Sequence, residues 1–233
     1  MGIVYNTSIV RDSLSFQVDF ANVKSYPGSG TTAFNLNQTG NFTFFGNTTV
    51  SNNVAVFNGT QGTYMQESSG LGNHGTNSFT YQILCNPKTS TSIDNAAYSR
   101  IFEQMGYPQT WHILAIIDNG GNPIFTFNGR DLNQTVQFAV SSPSGNAILN
   151  QWQLLTTIID RENNKCVLYV NSTRYESNLN VSLAGIGDND PLSIPSAYAE
   201  VEMDMSCIIG YTKALTDSEV NQNYQALRGR FNI

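Results

Sequence analysis

The residues best placed to do chemistry are acids. Glu200, Glu202 and Asp204 alternate along a stretch that reads as a strand, so their carboxylates would share one face, about 6.5–7 Å apart. A row of carboxylates is what acid–base work on a bound substrate uses. The residues between and beyond them weigh against it. Val201, Met203, Met205, Cys207 and Ile209 are all apolar, and an unbroken apolar alternation marks a strand with one face in the core. The three acids are then expected on the solvated face, with no catalytic residue among them.

The other candidates are weaker. Gly187-Asp-Asn-Asp-Pro191 sets Asp188 and Asp190 at alternate positions, and hard oxygen ligands so spaced suit calcium. The stretch lacks the closing Glu of an EF-hand, and an ordinary Asx-rich turn is the favoured explanation. Calcium at Asp188 and Asp190 is therefore the one metal reading, and no other cofactor is expected. Asp118 and Asp160 each follow Ile-Ile before a polar turn, where a carboxylate caps turn amides. His74 and His112 have no Ser or Cys partner in sequence. Cys85, Cys166 and Cys207 are far apart, as small buried residues of a reducing compartment are. No glycine-rich loop opens a helix, so a nucleotide site has no support.

These residues must be held by strands. The chain has 233 residues, 11 Lys+Arg against 17 Asp+Glu, and a net charge of −6. Only 12% of residues are charged while 40% are hydrophobic, and Asn, Ser, Thr and Gly dominate the remainder, which is a loop-rich β composition. Scattered cations disfavour nucleic acid. The longest aliphatic run, Ile113–Ile117, is far below the roughly 20 residues of a membrane helix. The opening Met-Gly-Ile-Val-Tyr-Asn has no basic region before an apolar one, so the expectation is synthesis in a cytoplasm without a signal peptide.

Leu14, Phe16, Val18 and Phe20 alternate, predicting a half-buried strand. Phe79–Leu84 predicts another. Trp111–Asp118 turns into Ile124–Gly129, and Trp152–Asp160 turns into Cys166–Asn171, each a hairpin signature. The one strong helix runs from about Asp217 to Arg228. Thr216-Asp-Ser-Glu219 is a capping box, Val220, Tyr224 and Leu227 form one apolar stripe, and Gly229 can end the helix. No linker divides the chain. The reading is all-β: one domain over residues 1–233, a two-sheet antiparallel jelly-roll sandwich with one short C-terminal helix.

Several segments resemble laminin-G-like members of the concanavalin A-like lectin/glucanase superfamily, in the form found in tailed bacteriophage structural proteins. They are Gly2-Ile-Val4 with the strand to Phe20 and Lys24–Thr32, then Val56-Phe-Asn-Gly-Thr60, then Tyr169-Val-Asn171, and finally Ile209–Phe231. Ala33-Phe34 stands where that family usually has a Trp-aromatic pair, and Ser172 where it has Gly. The acids at Glu200, Glu202 and Asp204 resemble the Glu-x-Asp-x-Glu strand of related glucanases in another order. The resemblance implies a place on a phage particle. The expectation is thus a non-enzymatic virion structural protein, a capsid or head decoration binding other virion proteins and surface glycans, with homo-oligomer formation open. The alternatives are a tail-fibre or neck adhesin holding host polysaccharide on loops 67–76 or 187–198, and, behind it, a glycan hydrolase. The C-terminal tail is expected to anchor near the first strand, since first and last strands of jelly rolls commonly lie together.

Overall fold

The computed structural model describes residues 8–37, 40–67, 70–90, 98–106, 110–131, 133, 137–180, 184–186, 190–198 and 200–233. The first strands are β1 (Leu14–Asp19), β2 (Thr32–Ala33), β3 (Phe42–Phe45), β4 (Thr49–Ser51), β5 (Val54–Asn58) and β6 (Tyr64–Glu67). Longer ones come next: β7 (Phe79–Pro87), β8 (Ser99–Gly106), β9 (Thr110–Ile117), β10 (Ile124–Arg130) and β11 (Gln137–Ser141). The last are β12 (Gln153–Asp160), β13 (Lys165–Val170), β14 (Thr173–Asn178), β15 (Leu192–Ile194) and β16 (Glu202–Tyr211), before helix α1 (Asp217–Leu227).

They form two eight-stranded sheets, paired antiparallel throughout among the described strands. Sheet A runs β14-β13-β12-β7-β16-β5-β4, with β1 also on β16; sheet B runs β11-β10-β9-β8-β15-β6-β3-β2. This is the jelly-roll sandwich, and the two expected hairpins are β9–β10 and β12–β13. Between the sheets lies the main core, with Phe16, Phe57, Phe79, Tyr81 and Ile83 from sheet A facing Phe42, Phe102, Leu114, Phe125 and Phe127 from sheet B.

The expected alternation of β16 fails in the middle. Its register shifts between Met205 and Cys207. Met203, Met205 and Ile208 enter the inter-sheet core, whereas Cys207, Ile209 and Tyr211 face the opposite side and the helix. A bulge adds one residue and so swaps faces. The shift also lets one edge of β16 serve two partners, β5 along Glu202–Met205 and β1 along Cys207–Tyr211. Strand β1 has its own irregularity after Leu14, so Leu14 packs on the helix side while Phe16 and Val18 enter the core. Gly210 has no side chain because the Phe16 ring lies over it.

The C-terminal helix starts as its capping box requires: the Glu219 amide donates to Thr216 Oγ1 at 3.3 Å and the Thr216 amide to Glu219 Oε2 at 2.9 Å. It does not stop on Gly229 in a left-handed turn. It tightens into a 3-10 turn over Arg228–Arg230 instead. Val220 and Leu227 are buried on sheet A with Ile9, Val10, Leu154, Ile209 and Leu215. Phe231 stacks on Trp152, ring centroids 3.7 Å apart. Arg230 grips Asp19 of β1 with both guanidinium nitrogens at 2.8 and 2.6 Å, so the tail reaches the first strand as expected.

Candidate functional site

On sheet A the outward face is mostly apolar, and the polar side chains among it are inaccessible. Gln82 and Thr156 are fully buried under α1, together with Asn223 from the helix itself. Gln82 Nε2 donates to Thr156 Oγ1 at 2.9 Å, Asn223 Nδ2 donates to Gln82 Oε1 and to the Tyr211 hydroxyl, and Asn223 Oδ1 accepts from the Val10 amide at 2.7 Å. Every member has a partner, so the network cements the layer rather than offering itself to a ligand. A cleft of about 670 Å3 opens at the start of α1. Several of its charges are already engaged: Lys213 bonds Asp12 at 2.5 Å and Glu219 at 2.7 Å, and the Tyr169 hydroxyl donates to Asp217 at 2.6 Å.

No helix covers β9, β10 and β11 of sheet B among the described residues, although Ile113, Ala115 and Thr126 are buried on their outer face. Cross-strand register puts Trp111, Ile113 and Ala115 of β9 on one face with Arg130, Asn128 and Thr126 of β10, and with Gln137, Ala139 and Ser141 of β11. The intervening Leu114, Phe127, Phe138 and Val140 point into the core. A shallow groove of about 430 Å3 crosses this outer face. Trp111 and Tyr98 line it, the latter 41% exposed, and Thr126, Asn128, Gln137 and Ser141 supply amide and hydroxyl groups. Ser141 Oγ donates to Thr126 Oγ1 at 3.1 Å, ordering that part of the floor. Among the described residues, none that lines the groove carries a charge. Sequence reasoning missed this groove. Its signal lay in the phase of the strands, because the core positions of β9 to β11 leave Trp111, Asn128 and Gln137 on the other face.

The acids singled out in sequence are not gathered into a site. Glu202 is exposed, Asp204 pairs with Lys88 at 2.9 Å, and Glu200 departs from expectation. Glu200 is buried and accepts the Gly62 amide at 2.9 Å, so it ties the β5–β6 connection to the approach to β16. Asp118 and Asp160 cap their turns, accepting from the amides of Gly121 at 2.8 Å and Asn163 at 3.0 Å. Asp188 lies outside the described residues, and the Asp190 carbonyl accepts from Gln104 Nε2 at 3.0 Å. Among the described residues no three His, Cys, Asp or Glu side chains gather as a metal site. The loops expected to hold polysaccharide are otherwise employed where described: His74 is buried, and Leu192–Ile194 is a strand paired with β6 and β8.

The two histidines meet in the core. His74 Nε2 lies 2.6 Å from the Tyr81 hydroxyl, and the His74 and His112 rings are 5.9 Å apart, centroid to centroid. Burial, with His112 nearby, holds His74 well below the usual imidazole range, and burial alone brings His112 down to about 3. Burial raises the thiols of Cys85 and Cys166, and pushes Cys207 up to about 12, which suits inert apolar residues.

The sequence profile of the clostridial neurotoxin N-terminal receptor-binding domain matches residues 32–210. The binding domain of Paraclostridial Mosquitocidal Protein 1 superposes with a TM-score of 0.67 at 16% identity, over 91% of this chain and 52% of that one. The binding domain of botulinum neurotoxin DC, solved in complex with rat synaptotagmin II, gives 0.71 at 14% identity, over 94% of this chain and 52% of that one. The ligand-binding domain of botulinum neurotoxin serotype D, solved in complex with N-acetylneuraminic acid, gives 0.65 at 9% identity, over 93% and 51%. The chain therefore spans about half the length of these structures, and at such identities the likeness speaks for the fold. No curated protein matches it in sequence. The expectation of a bacteriophage virion protein is overturned by these matches, which are to receptor-binding domains of toxins. Of its landmark segments, Ile209–Phe231 holds the end of the last strand and the helix that closes sheet A, so it carried the fold and not the biology. The match from β2 into β16 covers most of the chain, which belongs to the family of clostridial neurotoxin N-terminal receptor-binding domains.

Proposed function

We propose that this chain is a non-catalytic receptor-recognition unit, one jelly-roll domain of a larger toxin-like protein that it attaches to a host cell. The family match over residues 32–210 carries this reading. The surface agrees with it. The acids at Glu200 and Asp204 are engaged in structural contacts, whereas the open face of sheet B offers neutral amides, hydroxyls and aromatic rings, the mixture that adaptable recognition surfaces use. The related botulinum domains were solved with a protein, synaptotagmin II, and with a sugar, N-acetylneuraminic acid. A surface protein and a surface glycan are therefore the two receptor classes to test.

The experiment is binding of the fluorescently labelled chain to one mammalian and one mosquito cell line, before and after protease or glycosidase treatment. Saturable binding abolished by one of the treatments is expected, with no reducing sugar released. Absence of saturable binding to either line would overturn the reading, as would a glycan-cleaving activity lost in Glu202→Gln.

A further inference from the structure

We propose that the groove on the outer face of sheet B is a binding site for a neutral oligosaccharide, with Trp111 and Tyr98 as stacking platforms. The proposal rests on the receptor-recognition reading and assigns a ligand class to one face. Three observations carry it. The first is aromatic: a ring from the start of β9 and one from just before β8 both border the groove, and Tyr98 keeps 41% of its surface exposed. Aromatic faces that stay wet in a folded domain are suited to partners that are apolar on one side and polar at the edge, as a pyranose ring is. The second is electrostatic. The chain carries a net charge of −6, yet no ionised side chain among the described residues lines this groove. Arg130 shares the face beside Trp111 and Gln137 but stands outside the lining, and on β8 Arg100 is tied to Glu103 at 2.6 Å. An acidic sugar would thus find no ion-pair partner in the lining, and a basic peptide no carboxylate. The third is the polar complement. Asn128, Gln137 and Ser141 hold amide and hydroxyl groups capable of both donating and accepting, which is what the hydroxyls around a sugar ring require.

The groove has length as well. Trp111 and Ile117 lie six residues apart on β9, and both line it, so it runs about 20 Å at the rise of a strand. That suits a short oligosaccharide rather than a single ring.

The chain contains two tryptophans, which makes the test internally controlled. Trp152 sits on the far side of sheet A, stacked on Phe231. In heteronuclear NMR of the whole chain titrated with maltotetraose or lacto-N-tetraose, the Trp111 indole N–H should shift saturably while that of Trp152 stays fixed. Trp111→Ala should weaken binding about tenfold or more, with Trp111→Phe in between. Gln137→Ala, on the exposed rim, gives a second measurement should Trp111→Ala fail to fold. No Trp111 shift with either neutral sugar at about 10 mM, a concentration that would largely fill a site of about millimolar Kd, would overturn the proposal. A shift with N-acetylneuraminic acid alone would overturn the neutral assignment. Cell binding undiminished in Trp111→Ala, with no sugar shift, would remove the groove and leave the receptor reading standing; a sugar shift without cell binding would do the reverse.

Discussion

On sheet A the outward side chains of β7, β12 and β16 lie beneath α1, the tail and the segment around Val10, and even Gln82 and Thr156 lose all contact with water. On sheet B the outward Trp111, Asn128, Gln137 and Ser141 of β9, β10 and β11 border an open groove. Both faces alternate apolar with polar residues. The C-terminal segment makes the difference: its amphipathic helix supplies a lid for one face, and the other keeps its amides and rings for a partner. Polar residues on an outer face are therefore no guide to their use. Under the helix they are structural cement, and in the groove they are recognition groups.

The sharpest way to break this contrast is to loosen the lid. Leu227 is 3% exposed against sheet A, and Leu227→Ala should cost about 2–5 kcal/mol. Thermal and urea unfolding check it; an unchanged midpoint would mean that the helix does not seal the face. A smaller effect lies in the core between the sheets. His74 and His112 stay neutral in the fold, whereas in the unfolded chain each takes up a proton below about pH 6.5. The unfolded state then binds more protons, so stability falls as pH drops through 6.5 towards the folded values, about 3 for His112. The slope should be about 1.4 kcal/mol per pH unit for each histidine. His112→Leu should roughly halve it between pH 6 and 5, and an undiminished slope would place the sensitivity elsewhere. The smallest effect belongs to the open face. Trp111→Ala should change stability by no more than about 0.5 kcal/mol if the ring serves recognition alone. A loss comparable to that of Leu227→Ala would show that sheet B depends on its outer face as sheet A does.

Much of the fold was legible because apolar alternation and turn residues are local. β1, β7, the two hairpins and the capping box at Thr216 all announce themselves. Short strands such as β2 and β15 do not, since two or three residues hold no periodicity. The bulge in β16 escaped for a different reason: its composition is apolar on both sides, so a one-residue shift changes the face without changing the pattern. Gln17 and Asp19 lie between the apolar positions of the half-buried strand β1, and their burial beside Asn35 and Arg230, which come from farther along the chain, could not be inferred from their neighbours. Asn223 left a faint trace, as the one polar residue on the same stripe as Val220 and Leu227. The groove is legible only after register is known, because the pairing of β8 to β11 brings Gln137 near Trp111 at one end and Tyr98 near Ile117 at the other.

The position of β16 has a consequence for how the chain is made. It is the last strand along the sequence, yet it lies inside sheet A, between β7 on one edge and β1 and β5 on the other. A nascent chain can close β9–β10 and β12–β13 as soon as each hairpin leaves the ribosome. Pro87 must wait for Met203, and Leu14 for Tyr211. Until then three strands carry unpaired edges, the state in which β proteins are most exposed to aggregation. Completion is thus a late and nearly simultaneous event, in which one strand and the helix behind it turn a set of separate hairpins into a sandwich.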